Sequence, residues 1–290
     1  MEFNSVIYQN SHDRDLCVDS KLVNPSKTDL PPGSGINTDT FKPAKALKTS
    51  VYNKETIEEA IASVLSQTYD DIEYIVVDGA STDGTVDVIK KYEGRCRLLF
   101  LNPTRASMMV STKRWHWPPV MLLVFLHSDD LFEDEHVVSK IAEAFKIDDV
   151  DSIYGDLVYV SKEDTSNVVR YWKNGAYGLK KLENGWMPPH PTFYVKRKIY
   201  EEYGAFDTSF KIAADYDSML RFLGREGITT RYIPEVLVKM RVGGESNKSL
   251  KNLVLKTKED LRAVKNNNVG HIRSIFFKNL SKIPQFFKRK

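Results

Sequence analysis

The chain has 290 residues, a length that suits one large domain with appendages and allows a sizeable core. Hydrophobic residues make up 41% and charged residues 28%, while 42 Lys and Arg against 39 Asp and Glu leave a net charge of +3, an ordinary soluble balance. Cys17 and Cys96 lack metal-ligand spacing, which excludes a zinc site and a disulfide framework, and no apolar stretch reaches the roughly 20 residues of a spanning helix.

Residues 1–48 are rich in Asn, Ser, Asp, Pro and Lys and show no sustained period. Pro25, Pro31, Pro32, Gly33 and Gly35 break any element there, so an irregular or disordered leader is expected. Asp13, Asp15 and Asp19 stand where a secretory peptide would carry an apolar core, and a cytoplasmic protein is expected. The main domain is expected over 49–245. From Glu55 the apolar positions Ile57, Ala60, Ile61, Val64 and Leu65 share one helical face. A buried strand over 72–77 runs into a turn-rich loop over 78–84, and a short helix is expected over 85–92. The pattern repeats. A strand over 121–126 ends in His127-Ser-Asp-Asp130, and a helix is expected over 133–145 with Val137, Ile141 and Ala144 facing inward. A further strand covers 152–160, and a helix covers 215–223, closed by Gly224 and Gly227. Strands alternating with helices predict a doubly wound α/β sheet, with ligands at the carboxyl ends of its strands.

The segment 246–290 reads as a basic, partly helical tail. After Asp260 there is no acidic residue, and Arg262, Lys265, Arg273, Lys278, Lys282, Lys288, Arg289 and Lys290 alternate with Ile275, Phe276, Phe277, Ile283, Phe286 and Phe287. Two readings stand. In one, 262–290 lies on an anionic membrane surface, where each basic residue contributes about 1 kcal/mol. In the other, a solvated tail packs its phenylalanines on the domain. No recognition motif accompanies the charge, so nucleic acid is not expected.

The chemistry concentrates in two acidic loops, each following an apolar strand: Asp78 and Asp83 in the first, Asp129 and Asp130 in the second. Moving a sugar off a nucleotide diphosphate leaves a charged diphosphate behind. Carboxylates that clamp a divalent cation, Mn²⁺ or Mg²⁺, neutralise that charge. Taken alone, Ser-Asp-Asp is weak evidence, and a solvated turn is the better reading.

Its company decides the matter. Val-Asp-Gly-Ala-Ser-Thr-Asp-Gly-Thr at 77–85, Ser-Val-Leu-Ser-Gln-Thr-Tyr at 63–69 and Phe-Leu-His-Ser-Asp-Asp at 125–130 occur together. Gly204-Ala-Phe-Asp207, Ala214-Asp-Tyr-Asp217 and Met240-Arg-Val-Gly-Gly244 follow in order. Over roughly 50–95 and 125–250 the chain resembles the family 2 glycosyltransferases, particularly the branch that builds bacterial surface polysaccharides. The resemblance implies the GT-A fold, a nucleotide-binding α/β sheet abutting an acceptor-side region. It implies that Val51 and Tyr52 line the nucleoside pocket, that Asp78 bonds the base and that Asp83 lies close by. Asp129 matches the last acid of the family's Asp-X-Asp metal motif, His127 replaces the first, and Asp130 assists. Asp215 matches the catalytic base of an inverting transfer, although an aspartate at a helix start also serves as a cap. Trp186 and His190 fall on the acceptor side, where the tryptophan could stack on a sugar.

Two segments depart from the family pattern. The apolar strand expected directly before 51–53 is replaced by Phe41-Lys-Pro-Ala-Lys-Ala-Leu-Lys48, a deficit in the sheet. Between Gly94 and Phe125 the family carries Glu-Pro-Asp-Lys-Gly-Ile-Tyr-Asp, a helix and Thr-Gly-Asp, whereas this chain has Asn102-Pro-Thr-Arg at the corresponding start. Codons for 102–124 can be chosen that yield the family's text when read one nucleotide earlier. A frameshift over 95–124 is the reading, and Trp115, Trp117, Pro118 and Pro119 cannot rebuild the helix. The sequence thus predicts an inverting transferase that uses a nucleotide-diphosphate-sugar and a glycan or lipid-linked acceptor. Two alternatives stay open: the same fold with impaired or absent activity, and a non-catalytic nucleotide- or carbohydrate-binding module.

Overall fold

A computed structural model describes residues 6–9, 54–72, 74–78, 81–95, 97–100, 122–207, 209–225, 227–243 and 250–280. Among them, strand β1 (Val6–Gln9) is followed by helix α1 (Lys54–Leu65), β2 (Tyr74–Asp78), α2 (Thr85–Lys90) and β3 (Arg97–Phe100). Next come β4 (Leu122–Phe125), β5 (Asp130–Phe132), α3 (Val137–Asp148), β6 (Ser152–Val160) and β7 (Val168–Trp172). A short helix α4 (Leu179–Glu183) and a 3₁₀ turn (His190–Thr192) lead to β8 (Tyr194–Lys196) and α5 (Arg197–Tyr203). The described part closes with α6 (Ala214–Leu223), β9 (Thr230–Arg241), α7 (Leu250–Asn267) and α8 (Ile272–Leu280).

The nine strands form one mixed sheet in the order β3-β2-β1-β4-β8-β6-β9-β5, with β7 paired to β6. Strands β3, β2, β1 and β4 are mutually parallel, so their carboxyl ends share one edge. Beyond β4 the direction changes, because β8 pairs antiparallel with both β4 and β6. Parallel pairing of β6 with β9 and antiparallel pairing of β9 with β5 complete the second half.

Apolar periodicity explains the packing. Ile57, Ala60, Ile61 and Val64 of α1 and Val137, Ile141 and Phe145 of α3 share one core with Val76, Leu122 and Val124 of the sheet. Each fully buried aliphatic chain of this kind contributes about 1.5–3 kcal/mol. A second core joins Tyr154, Val195, Met219, Leu220 and Phe222 to Ala263, Val264 and Ile275 of α7 and α8. The C-terminal helices are therefore packed into the domain.

Three expectations change. The helix expected from residue 133 starts at Val137, because Asp130–Phe132 is drawn into pairing with β9 and Asp134 accepts the His136 N–H at 2.8 Å in the turn between. In the tail, Ile275 and Lys278 turn inward while Phe276 and Phe277 stay exposed, so these two phenylalanines do not pack on the domain, and Phe286 and Phe287 lie outside the described residues. The irregular leader is corrected at Val6–Gln9, which lies between β2 and β4 and fills the position expected to be deficient. Val6-Ile7-Tyr8 is a β-branched and aromatic run suited to a central strand, but too short to stand out in a polar leader. The rest of 1–48, and residues 101–121 of the atypical segment, lie outside the described residues.

Candidate active site

The first wall is the loop that leaves β4. It is held from two directions. Thr56 of α1 donates its hydroxyl to the Ser128 carbonyl at 3.2 Å. Arg241 at the end of β9, only 3% exposed, donates Nη1 to the Asp129 carbonyl at 3.0 Å and Nη2 to Glu59 at 2.6 Å. So clamped, the loop presents the half-buried Asp129 at its tip. Asp130 points the other way. It is fully buried, with Oδ2 at 3.2 Å from Nδ1 of His127 and no partner at Oδ1. Burial lifts its carboxyl to about 6, against the pull of His127. Burial also opposes protonation of His127, but Asp130, Asp129 and Asp215 together raise it to about 9. At neutral pH a cationic imidazolium thus stands over a buried carboxylate, and Asp130 supports His127 instead of facing outward with Asp129.

The second wall is the 3₁₀ turn. Pro189 and Pro191 restrict its backbone, and the Thr192 hydroxyl donates to the Gly155 carbonyl of β6 at 2.9 Å. His190 is thereby fixed with Nδ1 3.2 Å from Oδ2 of Asp215 and its ring edge-on to His127, centroids 5.2 Å apart. Burial lowers His190 to about 4 despite the pull of Asp215. The imidazole is neutral at pH 7 and stands beside the Asp215 carboxylate.

Asp215 lies in the first turn of α6, about a third exposed. The helix starts from Ala213, without a side-chain cap. Asp215 therefore does not cap its own helix, and its carboxylate faces His190.

The loop after β2 shares the sheet edge with His127–Asp130. Asp78, fully buried, accepts the Ser81 N–H at 3.1 Å and the Ser81 hydroxyl at 2.8 Å. Asp83 accepts the Thr85 N–H at 3.0 Å and the Thr85 hydroxyl at 2.6 Å at the start of α2. Trp186 sits apart from this cluster, packed against Tyr154 and Tyr177, and donates Nε1–H to the Asn174 carbonyl at 3.3 Å. Its ring is used in the core, which weighs against a free sugar platform. Val51 and Tyr52 lie outside the described residues, just ahead of α1.

Residues 49–204 match the family described as Glycosyl transferase family 2, more than half of the chain. The chain belongs to this family. A PGL/p-HBAD biosynthesis glycosyltransferase of Mycobacterium bovis is 25% identical over 219 residues, covering 70% of this chain and 80% of the relative. A putative teichuronic acid biosynthesis glycosyltransferase of Bacillus subtilis is 30% identical over 105 residues, covering 35% and 42%. Among solved structures, S. aureus TarS in complex with UDP superposes with a TM-score of 0.52 at 12% identity, covering 96% of this chain and 70% of that one. A mannosyltransferase from Pyrobaculum calidifontis in complex with GDP-Man and Mn²⁺ gives a TM-score of 0.52 at 16% identity, covering 99% and 73%. The fold is GT-A, and the protein is a glycosyltransferase.

Among the described residues of this glycosyltransferase, no three His, Cys, Asp or Glu side chains converge to hold a cation. Sequence reasoning gave no role to Arg241, which shares β9 with Arg231 and Lys239 and is not set apart from them by the residue pattern.

Proposed function

We propose that this glycosyltransferase is an inverting enzyme of cell-surface polysaccharide synthesis. It moves a sugar from a nucleotide-diphosphate-sugar to a hydroxyl of a glycan or lipid-linked acceptor. The observation that carries this reading is the pairing of Asp215 with His190 beside the His127–Asp129 loop. In that geometry a carboxylate with a neutral donor beside it stands near a cationic wall.

The acceptor oxygen attacks the anomeric carbon as Asp215 takes its proton. The bond from that carbon to the diphosphate oxygen breaks, the nucleoside diphosphate leaves, and the configuration inverts. His190 orients the carboxylate through its Nδ1–H. Asp129 and the diphosphate would hold a divalent cation, Mn²⁺ or Mg²⁺, which when bound supplies positive charge to the leaving group. His127, carrying its proton, adds to that charge, and Asp130 holds it in place. Asp78, Asp83, Val51 and Tyr52 form the nucleoside side of the site. Complexes of related folds with UDP, and with GDP-Man and Mn²⁺, support a donor of this class.

The second partner we propose is an anionic membrane surface, on the inner face of which this transferase works. Exposed Ile272, Phe276 and Phe277 on α8, next to Arg273, support it. Among the described residues no helix is long and apolar enough to cross a membrane.

The test is calorimetric titration of UDP and GDP into the chain, with and without Mn²⁺, alongside Asp129→Ala. Metal-dependent binding of one nucleotide, weakened about tenfold or more in the variant, is expected. Binding of neither nucleotide by folded protein would favour the second reading, a transferase fold whose activity is impaired by the replaced text in 95–124.

A further inference from the structure

We propose that Asn174 is a positioning residue for His190: it ties both ends of the segment that carries the histidine to one point of the sheet. This rests on the reading of His190 and Asp215 as the acceptor side of the site.

The chain reaches Asn174 from the β6–β7 hairpin, whose pairing runs out at Trp172 opposite Leu157. Two residues further on, side-chain bonds replace the ladder. Oδ1 of Asp156 accepts the Asn174 N–H at 2.9 Å, and the Gly155 carbonyl accepts Nδ2–H of Asn174 at 2.7 Å. Asp156 is fully buried and also accepts the hydroxyls of Tyr171 at 2.6 Å and Tyr232 at 2.7 Å. A buried carboxylate so bonded is a firm anchor, because releasing a donor leaves a polar group without water. Past Asn174 the chain turns away through Gly175, whose φ of 74° favours glycine.

Both ends of 186–192 come back to this point. At the entry, Trp186 donates Nε1–H to the Asn174 carbonyl at 3.3 Å. At the exit, the Thr192 hydroxyl donates to the Gly155 carbonyl at 2.9 Å, the same oxygen that holds Nδ2 of Asn174. A carbonyl oxygen has two lone pairs, enough for both donors. Between the two ends Pro188, Pro189 and Pro191 leave the backbone little freedom, so fixing the ends fixes His190. Trp186, whose ring is packed in the core, thereby acts as the entry pin.

The consequence falls on the imidazole. Desolvation holds His190 near 4, and the groups facing it are Asp215 from α6, His127 and Asp129 from the loop after β4, and Lys256 from α7. A segment that drifts admits water to the ring and loses the 3.2 Å contact with Asp215, and the midpoint then returns towards the ordinary value of about 6.5.

The experiment uses the full chain with Asn174→Ala, Trp186→Phe, Thr192→Val, Thr192→Ser and Tyr171→Phe, none of which adds a charge beside His190. The His190 ring is titrated by NMR, its signal assigned by its loss in His190→Asn, and thermal midpoints are recorded. The midpoint should rise by about one pH unit or more in Asn174→Ala, Trp186→Phe and Thr192→Val. Thr192→Ser keeps the hydroxyl and should stay within about 0.3 unit of the parent. Tyr171→Phe breaks a bond to Asp156 but none to the segment. It should lower the thermal midpoint and leave His190 unmoved, which separates positioning from stability. In transfer assays the acceptor KM should rise about fivefold or more in Asn174→Ala while the donor KM stays within about twofold. An unmoved His190 midpoint in folded Asn174→Ala, or an equal rise in Tyr171→Phe, overturns the proposal. Trp186→Phe keeps most of the ring and decides in the same way if Asn174→Ala does not fold. The NMR arm needs no transfer. A wild-type rate in Asp215→Asn would instead overturn the base reading, and the two failures are told apart.

Discussion

His190 and His127 touch edge to edge, yet burial and neighbouring charge push them in opposite directions, to about 4 and about 9. An unfolded histidine titrates near 6.5. Below that pH the unfolded chain takes a proton that folded His190 refuses until about 4, so its contribution lowers stability as pH falls through this window. His127 has the opposite sign: its contribution is complete below 6.5 and is lost as pH rises through about 9. Asp130, lifted to about 6, gains stability on acidification and partly masks the His190 slope. The comparison therefore belongs between variants. Thermal midpoints measured from pH 4 to 9 should show a flatter acid side in His190→Asn and a flatter alkaline side in His127→Asn. At this scale the family motifs pointed to Asp129 and Asp215. They did not separate Asp129 from Asp130, because two adjacent aspartates look alike until β5 turns one of them inward.

Helix α8 reverses the usual arrangement of an amphipathic element. Lys278, 3% exposed, faces the core, while Ile272, 72% exposed, and Phe276, 66% exposed, face solvent. An apolar stripe with a basic neighbour and no acid beyond Asp260 suits an anionic leaflet. The double variant Phe276→Ser and Phe277→Ser should bind phosphatidylserine-rich vesicles about tenfold more weakly in a sedimentation assay, with its thermal midpoint little changed. Equal binding by both proteins would remove α8 from the membrane contact. The composition of the tail was legible in the sequence, but the direction of each side chain was not, because a lysine buried on Asp260 is an outcome of tertiary packing. The same limit explains two of the missed strands. Tyr194–Lys196 and Asp130–Phe132 are three residues each, too short for a period, and exist only because β4, β6 and β9 offer them edges.

Of the parallel half of the sheet, β2 and β4 were legible because each is an apolar run with a helix of period 3.6 after it, whereas β1 and β3 were not. The text over 95–124 fits neither this pattern nor the family's. Replacing 102–124 by the sequence of the adjacent reading frame should raise transfer from a nucleotide-sugar by at least about tenfold over the present chain. Sequencing the coding DNA gives the prior check, since a gene whose neighbouring frame does not encode that text removes the reason for the replacement. The placement of Val6–Gln9 bears on how the molecule is made. This strand is synthesised before any other described element, yet its partners are Tyr74–Val77 on one side and Val124–Phe125 on the other. During synthesis it must wait, unpaired, until the chain has passed Val77, and on its other side until Phe125, because a parallel strand has no local hairpin to shelter it. Folding of the nucleotide-binding half is thus tied to a late closure around the earliest segment, and that unpaired segment is where chaperones or premature aggregation would act on the nascent chain.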